Sequence, residues 1–255
     1  MNLDKYIQSL NLALEERHRG NCPICNGKNT FTVTRAYDRI LYNCYKAGCT
    51  LAGTHITNVT VADFKRQKNI DTSKAKFILP DYLLPHRQES IEWANNYGLS
   101  SEDLNLLYDV KEHRVVFPVL HDSKIVDATG RGIRTSQKPK WKRYGTSSYG
   151  YTCGEGKSAV VVEDCISAAT VATISYDATG FALMGTSLLP EHIIQLKNYS
   201  KVIVALDPDA VQKTFAFTRQ LRGVMDSCVH ALNIHDDLKY RITDDIINLK
   251  LLLSR

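Results

Sequence analysis

From residue 158 onward, strand-length apolar runs alternate with helix-length segments, and no other feature of this chain restricts its fold as much. Residues 159–162, 181–184, 201–206 and 229–234 read as strands, and residues 166–175, 189–197, 211–221 and a segment from Thr243 read as helices. Strands in this rhythm are joined by crossovers, so the pattern predicts a parallel sheet covered by helices on both faces.

Two of the runs stop at acids. Val160-Val161-Val162 ends in Glu163-Asp164, and the run from Val202 to Leu206 ends in Asp207-Pro208-Asp209. The C-terminal edge of a parallel sheet is where open α/β folds carry their sites. Carboxylates gathered there repel one another unless a divalent cation sits between them, and Mg²⁺ favours such oxygen ligands. Glu163, Asp207 and Asp209 are therefore candidate magnesium ligands near a phosphate. A strand ending in Asp-Pro is also a common turn start; Glu163 at the matching place favours the metal reading.

Upstream, residues 88–96 and 101–107 read as short helices, the second opened by Ser101-Glu102-Asp103 as N-cap and first-turn acids. Residues 113–120 and 124–128 read as strands around a turn at Asp122-Ser123. A formal net charge of +5 says little about partners, but its distribution says more. No acid lies between Asp127 and Glu155, while Arg131, Arg134, Lys138, Lys140, Lys142 and Arg143 all fall in that gap. Such a local field attracts polyanions. Gly154-Glu155-Gly156-Lys157-Ser158 is not a P-loop: Tyr151 stands where the first glycine belongs, and the segment leads into a strand.

Seven cysteines make a poor disulfide framework. Cys22-Pro23-Ile24-Cys25 is a Cys-x-x-Cys knuckle, and Cys44 with Cys49 forms a second pair, so four thiolates can hold a structural zinc ion. The second spacer is wide, which leaves His55 as an alternative to Cys49. Residues 30–34 and 39–43 alternate as hairpin strands, and Arg35, Tyr37, Arg39, Tyr42, Tyr45 and Lys46 offer cations and aromatics suited to single-stranded nucleic acid. Cys153, Cys165 and Cys228 read as core hydrophobes, and the eight histidines show no metal-ligand or triad spacing. The chain thus divides into a zinc module (1–60), a polar linker (61–80), a subdomain with the basic loop (81–157) and the parallel-sheet subdomain (158–255). Apolar stretches are too short for a transmembrane helix and no secretory signal pattern opens the chain, so no membrane partner and a cytoplasmic location are expected.

Glu163 followed by Asp207-x-Asp209, with Val161 to Ala168 and Met184-Gly185-Thr186-Ser187-Leu188 around them, is similar to the toprim signature. Arg114 to Val119 followed by Gly130-Arg131 resembles the strand pair that precedes toprim in primases, and Lys140-Trp141-Lys142-Arg143-Tyr144 resembles their basic template and nucleotide loop. With a four-cysteine ribbon ahead, the chain resembles a phage-type DNA primase of the bacterial primase superfamily from about residue 15 to residue 248. The fold so implied is α/β: a toprim-like parallel sheet with flanking helices, a preceding mixed α+β subdomain and a small N-terminal β zinc ribbon. The activity implied is synthesis of short RNA primers on single-stranded DNA by nucleotidyl transfer from NTPs, dependent on Mg²⁺ or Mn²⁺.

The resemblance also implies roles. Glu163 would be a metal ligand or general base, Asp207 and Asp209 metal ligands, and Asp237 a further Mg²⁺ ligand, with Asp236 next to it as the alternative. Arg131, Arg134, Lys138, Lys140 and Lys142 would bind NTP phosphates or template, and the Zn²⁺ ribbon of Cys22, Cys25, Cys44 and Cys49 would read a template trinucleotide. Gln212 stands where the family usually has glycine. The sequence includes no helicase domain, so a separate helicase is the expected partner, in the host cytoplasm if the chain is phage-encoded. A toprim nuclease, or a non-catalytic zinc-dependent single-strand-binding or helicase-loading factor, are the competing readings.

Overall fold

In the computed structural model, which describes residues 3–13, 16–36, 39–57 and 77–254, the chain divides into two units, Met1–Ala75 and Lys76–Arg255. The first unit opens with helix α1 (Leu3–Ser9) and continues as an antiparallel sheet of β1 (Arg17–Gly20), β2 (Phe31–Arg35), β3 (Arg39–Cys44) and β4 (Ala52–Ile56), in that spatial order. The β2–β3 hairpin follows the alternation read from the sequence. Helix α1 and strands β1 and β4 are too short and too polar to announce themselves. Phe31 and Val33 are fully buried and meet Ile7, Ile40, Cys22 and Cys44. So small a core is marginal without a further constraint such as a metal.

Tyr37 and most of the stretch read as a linker lie outside the described residues. Its last part, residues 77–80, is described: Phe77 and Leu79 pack against Leu83, Leu107, Val116 and Ala128. Apolar side chains seated in that cluster make this end of the stretch part of the second unit's core rather than of a linker.

The second unit begins with β5 (Leu83–Pro85), α2 (Gln88–Asn95), β6 (Leu107–Asp109), β7 (Arg114–His121), β8 (Lys124–Gly132) and β9 (Trp141–Arg143), whose strands form one antiparallel sheet in chain order. Asp122 and Ser123, at φ of 48° and 60°, make the tight β7–β8 turn, whose positive dihedrals suit the twist of a hairpin. Residues 101–107 are not a helix. Leu106 N–H donates to Ser101 O and Asn105 N–H to Glu102 O, both at 2.9 Å, and Asn105 turns into the left-handed region at φ 50°. The expected cap is also displaced, since Ser100 Oγ, not Ser101, accepts the Asp103 N–H at 3.1 Å.

The remaining elements are β10 (Tyr151–Cys153), β11 (Ser158–Val162), α3 (Cys165–Ile174), β12 (Ala178–Ala182), α4 (Pro190–Leu196), β13 (Lys201–Val204), α5 (Val211–Arg222), β14 (Cys228–Ala231) and α6 (Thr243–Ser254). They form a sheet of order β10-β12-β11-β13-β14, in which β10 is an antiparallel edge and the other four strands are parallel. Successive residues point to opposite faces. Val160, Val162 and Ile203 share a core with Ile166 and Val171 of α3 and Leu249 of α6. Ala159, Val161, Val202 and Val204 meet Ile193 and Leu196 of α4 and Leu221 of α5. Val115, Phe117 and Val119 of β7 join the first of these cores, so the two sheets are packed as one body within this unit.

Gly180 permits the tightest contact: a Cβ there would lie 1.9 Å from the Ala168 carbonyl oxygen, so α3 rests directly on β12. Gly154, at φ +97°, precedes β11, and the Gly154–Ser158 segment leads into a strand as expected. Cys165 is buried and Cys153 half-buried, but Cys228 is exposed, with its Sγ 3.0 Å from His230 Nε2. It is not a core residue, because β14 is an edge strand. Among the described residues no helix is long and apolar enough to cross a membrane.

Candidate active site and metal centre

Strand β11 lies in the middle of the parallel sheet. The chain leaves it for β12 on one side and later enters β13 on the other. The crevice beyond the C-terminal end of β11 is therefore a topological switch point, where open α/β sheets bind their ligands. Glu163 immediately follows β11. Its carbonyl accepts the Met184 N–H at 3.0 Å, and Met184 is held at φ 53°, a costly conformation for a residue with a side chain.

A cavity of about 370 Å³ opens there. Glu163, Asp164, Asp207, Asp237 and Lys239 line it from the parallel sheet, with Met184, Gly185 and Thr186 from the loop after β12. Thr129, Lys140, Trp141 and Arg143 face them from β8, β9 and the residue before β9. Four acids and a lysine on one wall, facing Lys140 and Arg143 on the other, suit a ligand that carries phosphate together with a divalent ion.

Burial foremost, and then Asp237 and Glu163, push the Asp207 carboxyl up to about 7. Burial also raises Glu163, assisted by Asp209, Asp237 and Asp164 and opposed by Lys213. Two half-buried carboxyls that resist ionisation are what a cation would relieve. Asp209 is exposed in the 3-10 turn Pro208–Ala210 and does not line the cavity. Asp236 is exposed and accepts the Asp237 N–H at 2.8 Å. Among the described residues no trio of carboxylates brings its oxygens within 4.8 Å of one another.

Sequence reasoning missed Lys239. Its ammonium donates to Asp164 Oδ2 at 2.9 Å and to Asp237. Burial alone would lower its pKa, but the two carboxylates outweigh that and hold it above the ordinary lysine value. Nothing in a lone lysine two residues past an acid announces this role. Arg143 was visible only as one of six cations. Its guanidinium bonds Asp127 Oδ2 at 2.5 Å and the Ser147 carbonyl at 2.7 Å. Asp127 is fully buried and also accepts the N–H groups of Ala128, Gly145 and Ser147, which fixes the loop after β9.

The other predicted cations disperse. Lys140 reaches the cavity. Arg131 lies 5.6 Å from the Trp141 ring centroid. Lys142 is paired with Glu112. Arg134 lines a different hollow with Glu89, Trp93 and Tyr108, and Lys138 is exposed.

In the first unit, the Sγ atoms of Cys22, Cys25, Cys44 and Cys49 all lie within 4.8 Å of one another. Cys22 and Cys49 are 3.9 Å apart and Cys25 and Cys44 3.7 Å. Four sulfurs about 2.3 Å from one tetrahedral zinc lie about 3.8 Å apart, so the cluster fits the ion. The Cys25 N–H points at Cys22 Sγ, 3.5 Å away, as the knuckle turn requires. A hydrogen bond from Thr30 brings the Cys44 thiol down to about 6. Cys49 is pushed up to about 12: the backbone bond at Leu51 lowers it, but burial and the other thiols outweigh that. His55 faces Ile40 on β4 and does not belong to the cluster. Of the residues read as a nucleic-acid surface, Arg35 is buried, with Nη1 donating to Thr57 Oγ1 at 2.5 Å, while Tyr45 and Lys46 are exposed.

The sequence matches no family model and no curated protein. Solved structures do match. The Aquifex aeolicus primase fragment with its zinc-binding and RNA polymerase domains superposes with a TM-score of 0.54, covering 98% of this chain and 82% of that one at 16% identity. A DnaG primase catalytic domain bound to single-stranded DNA gives 0.52, covering 75% of this chain and 77% of that one at 13% identity. The DnaG catalytic core gives 0.50, covering 74% and 78% at 13% identity. The fold of this chain is therefore the one carried by the zinc-binding and RNA polymerase domains of primases.

Proposed function

We propose that this protein is a DNA primase that joins ribonucleotides from NTPs into short RNA primers on a single-stranded DNA template, using Mg²⁺ or Mn²⁺. One observation carries the reading. Two half-buried carboxyls at the switch point of a parallel sheet, Glu163 and Asp207, face Lys140 across one cavity, in a chain whose fold is a primase fold along nearly its whole length.

Glu163 and Asp207 would hold a divalent ion, with Asp209 completing the set from the adjoining turn. Such an ion would supply acidity to an attacking 3′-hydroxyl and charge neutralisation to the triphosphate. In the alternative role, with Asp207 and Asp209 holding the ion, Glu163 would accept the hydroxyl proton. Lys140 binds nucleotide phosphate. Arg131, Arg134, Lys138 and Lys142 contribute to the template path, where backbone contacts fix register without reading sequence. The loop at Met184, Gly185 and Thr186 lines one side of the cavity.

Residues 158–255 form the toprim catalytic subdomain in this reading, residues 81–157 its N-terminal partner, and the four-cysteine module a zinc ribbon that reads a template trinucleotide. A separate replicative helicase is the expected partner, in the cytoplasm.

The test is primer synthesis with labelled NTPs, Mg²⁺ and single-stranded templates covering all trinucleotides. Wild type should yield short ribo-oligomers and Asp207→Asn none. Shortening of the template without oligomers, dependent on Asp207, would replace the primase with a nuclease. Neither product, with helicase added, would leave a binding factor.

A further inference from the structure

Lys239 sits inside the acidic cluster, between Asp164 and Asp237. Its side chain is only 5% exposed, and its ammonium bridges Asp164 and Asp237. Asp164 is committed to structure: Oδ1 accepts the Ile166 and Ser167 N–H groups, each at 2.9 Å, as the N-cap of α3, and Oδ2 accepts the lysine. The lysine rises from the 3-10 turn Leu238–Tyr240, whose Leu238 is 1% exposed and anchored in the core. Its base is thus fixed by packing and its tip by charge. Across the same cavity, and among the described residues, Glu163 and Asp207 form no ion pair. The acidic cluster is therefore split into a pair of carboxylates bridged by a lysine and a pair in direct contact with no cation among the described residues.

We propose that Lys239 is the resident second cation of this centre. It permanently offsets one of the two charges carried by Asp164 and Asp237, withdraws Asp237 from the metal ligands, and leaves Glu163, Asp207 and Asp209 to bind a single divalent ion. The assignment rests on the proposed function and sharpens it: a tethered monovalent charge that cannot be exchanged or chelated lies beside the nucleotide phosphates. On this assignment Asp237, expected from the sequence as a Mg²⁺ ligand, serves instead as a partner of the lysine.

The experiment counts Mn²⁺ bound to the full-length, zinc-loaded protein, by electron paramagnetic resonance of the free ion and by calorimetry, without NTP. Wild type should bind one Mn²⁺ per chain. Asp237→Asn should leave its affinity within about twofold, whereas Glu163→Gln should cost about tenfold or more, the scale expected when a metal's ligand shell is damaged. Lys239→Met should add a second Mn²⁺ at the freed Asp164 and Asp237. Two Mn²⁺ in wild type, none in wild type, or a tenfold loss in Asp237→Asn would each overturn the assignment. Should Lys239→Met fail to fold, the Asp237→Asn comparison decides alone. Primer synthesis measured in parallel separates the two readings: one Mn²⁺ with the expected variant pattern but no primers sinks the primase and leaves the lysine assignment standing.

Discussion

Replacing Asp207 with asparagine should make the metal-free protein more stable while abolishing its response to magnesium. Burial, with Asp237 and Glu163 behind it, raises this carboxyl from 3.8 to about 7. One unit corresponds to about 1.4 kcal/mol, so the whole shift corresponds to about 4 kcal/mol at most. Roughly half of the group faces water, and screening brings this to about 2 kcal/mol. The sign follows from proton uptake. Below about pH 4 the carboxyl is protonated in both states and costs nothing. Between about pH 4 and 7 it ionises in the unfolded chain but not in the folded one, so stability falls as pH rises; above about 7 the loss is constant. The asparagine variant keeps the shape and omits the charge. For a unit of this size it should melt about 4–8 °C above wild type near pH 8, with the gain vanishing near pH 4. Calorimetry without divalent ions, run across that range, reads both arms. A gain of equal size at both ends, or a variant less stable near pH 8, would refute the reasoning. Added Mg²⁺ should raise the wild-type melting temperature and leave the variant unmoved.

Three further outcomes are expected. His192, which burial lowers to about 4, takes up its proton in the unfolded chain first, so stability should fall between about pH 6.5 and 4 by up to about 3 kcal/mol. His192→Gln should flatten that limb in an acid titration followed by circular dichroism. Asp127→Ala should cost about 3–5 kcal/mol in denaturant melts, because it strips a buried acceptor from Arg143 and three N–H groups; a loss under 1 kcal/mol counts against that network. Cys25→Ser, or a strong chelator, should release one zinc per chain to a colorimetric dye and melt residues 3–57 while the second unit's transition persists; release without unfolding would show that the small core suffices.

The parts legible in the sequence are those whose signal is local. The runs that became β11 and β13 announce themselves because both faces are buried, and Glu163 and Asp207 are legible because they end those runs. The paired cysteines carry their chemistry in their spacing. Lys239 was not legible, since its partner Asp164 lies far away in sequence and is brought near only when the crossover after β11 packs beside the turn following β14. The failed helix at residues 101–107 has a local cause that propensity understates: Asn105 adopts the left-handed region, and Leu107 is already committed to β6. Cys228 was misread because an apolar neighbourhood does not distinguish a central strand from an edge one.

The strand order has a temporal consequence. β11 is the central strand, but one neighbour, β13, is translated about forty residues after it, and Lys239 and the α6 residue Leu249 come later still. During synthesis the four-cysteine module and the antiparallel sheet can close as soon as they emerge, since their pairings join strands close in sequence. The crevice at the end of β11 cannot. Its carboxylates remain unassembled until the segment from Lys239 to Leu249 has left the ribosome, so a nascent chain without that segment could hold its four thiolates together while the crevice stayed open.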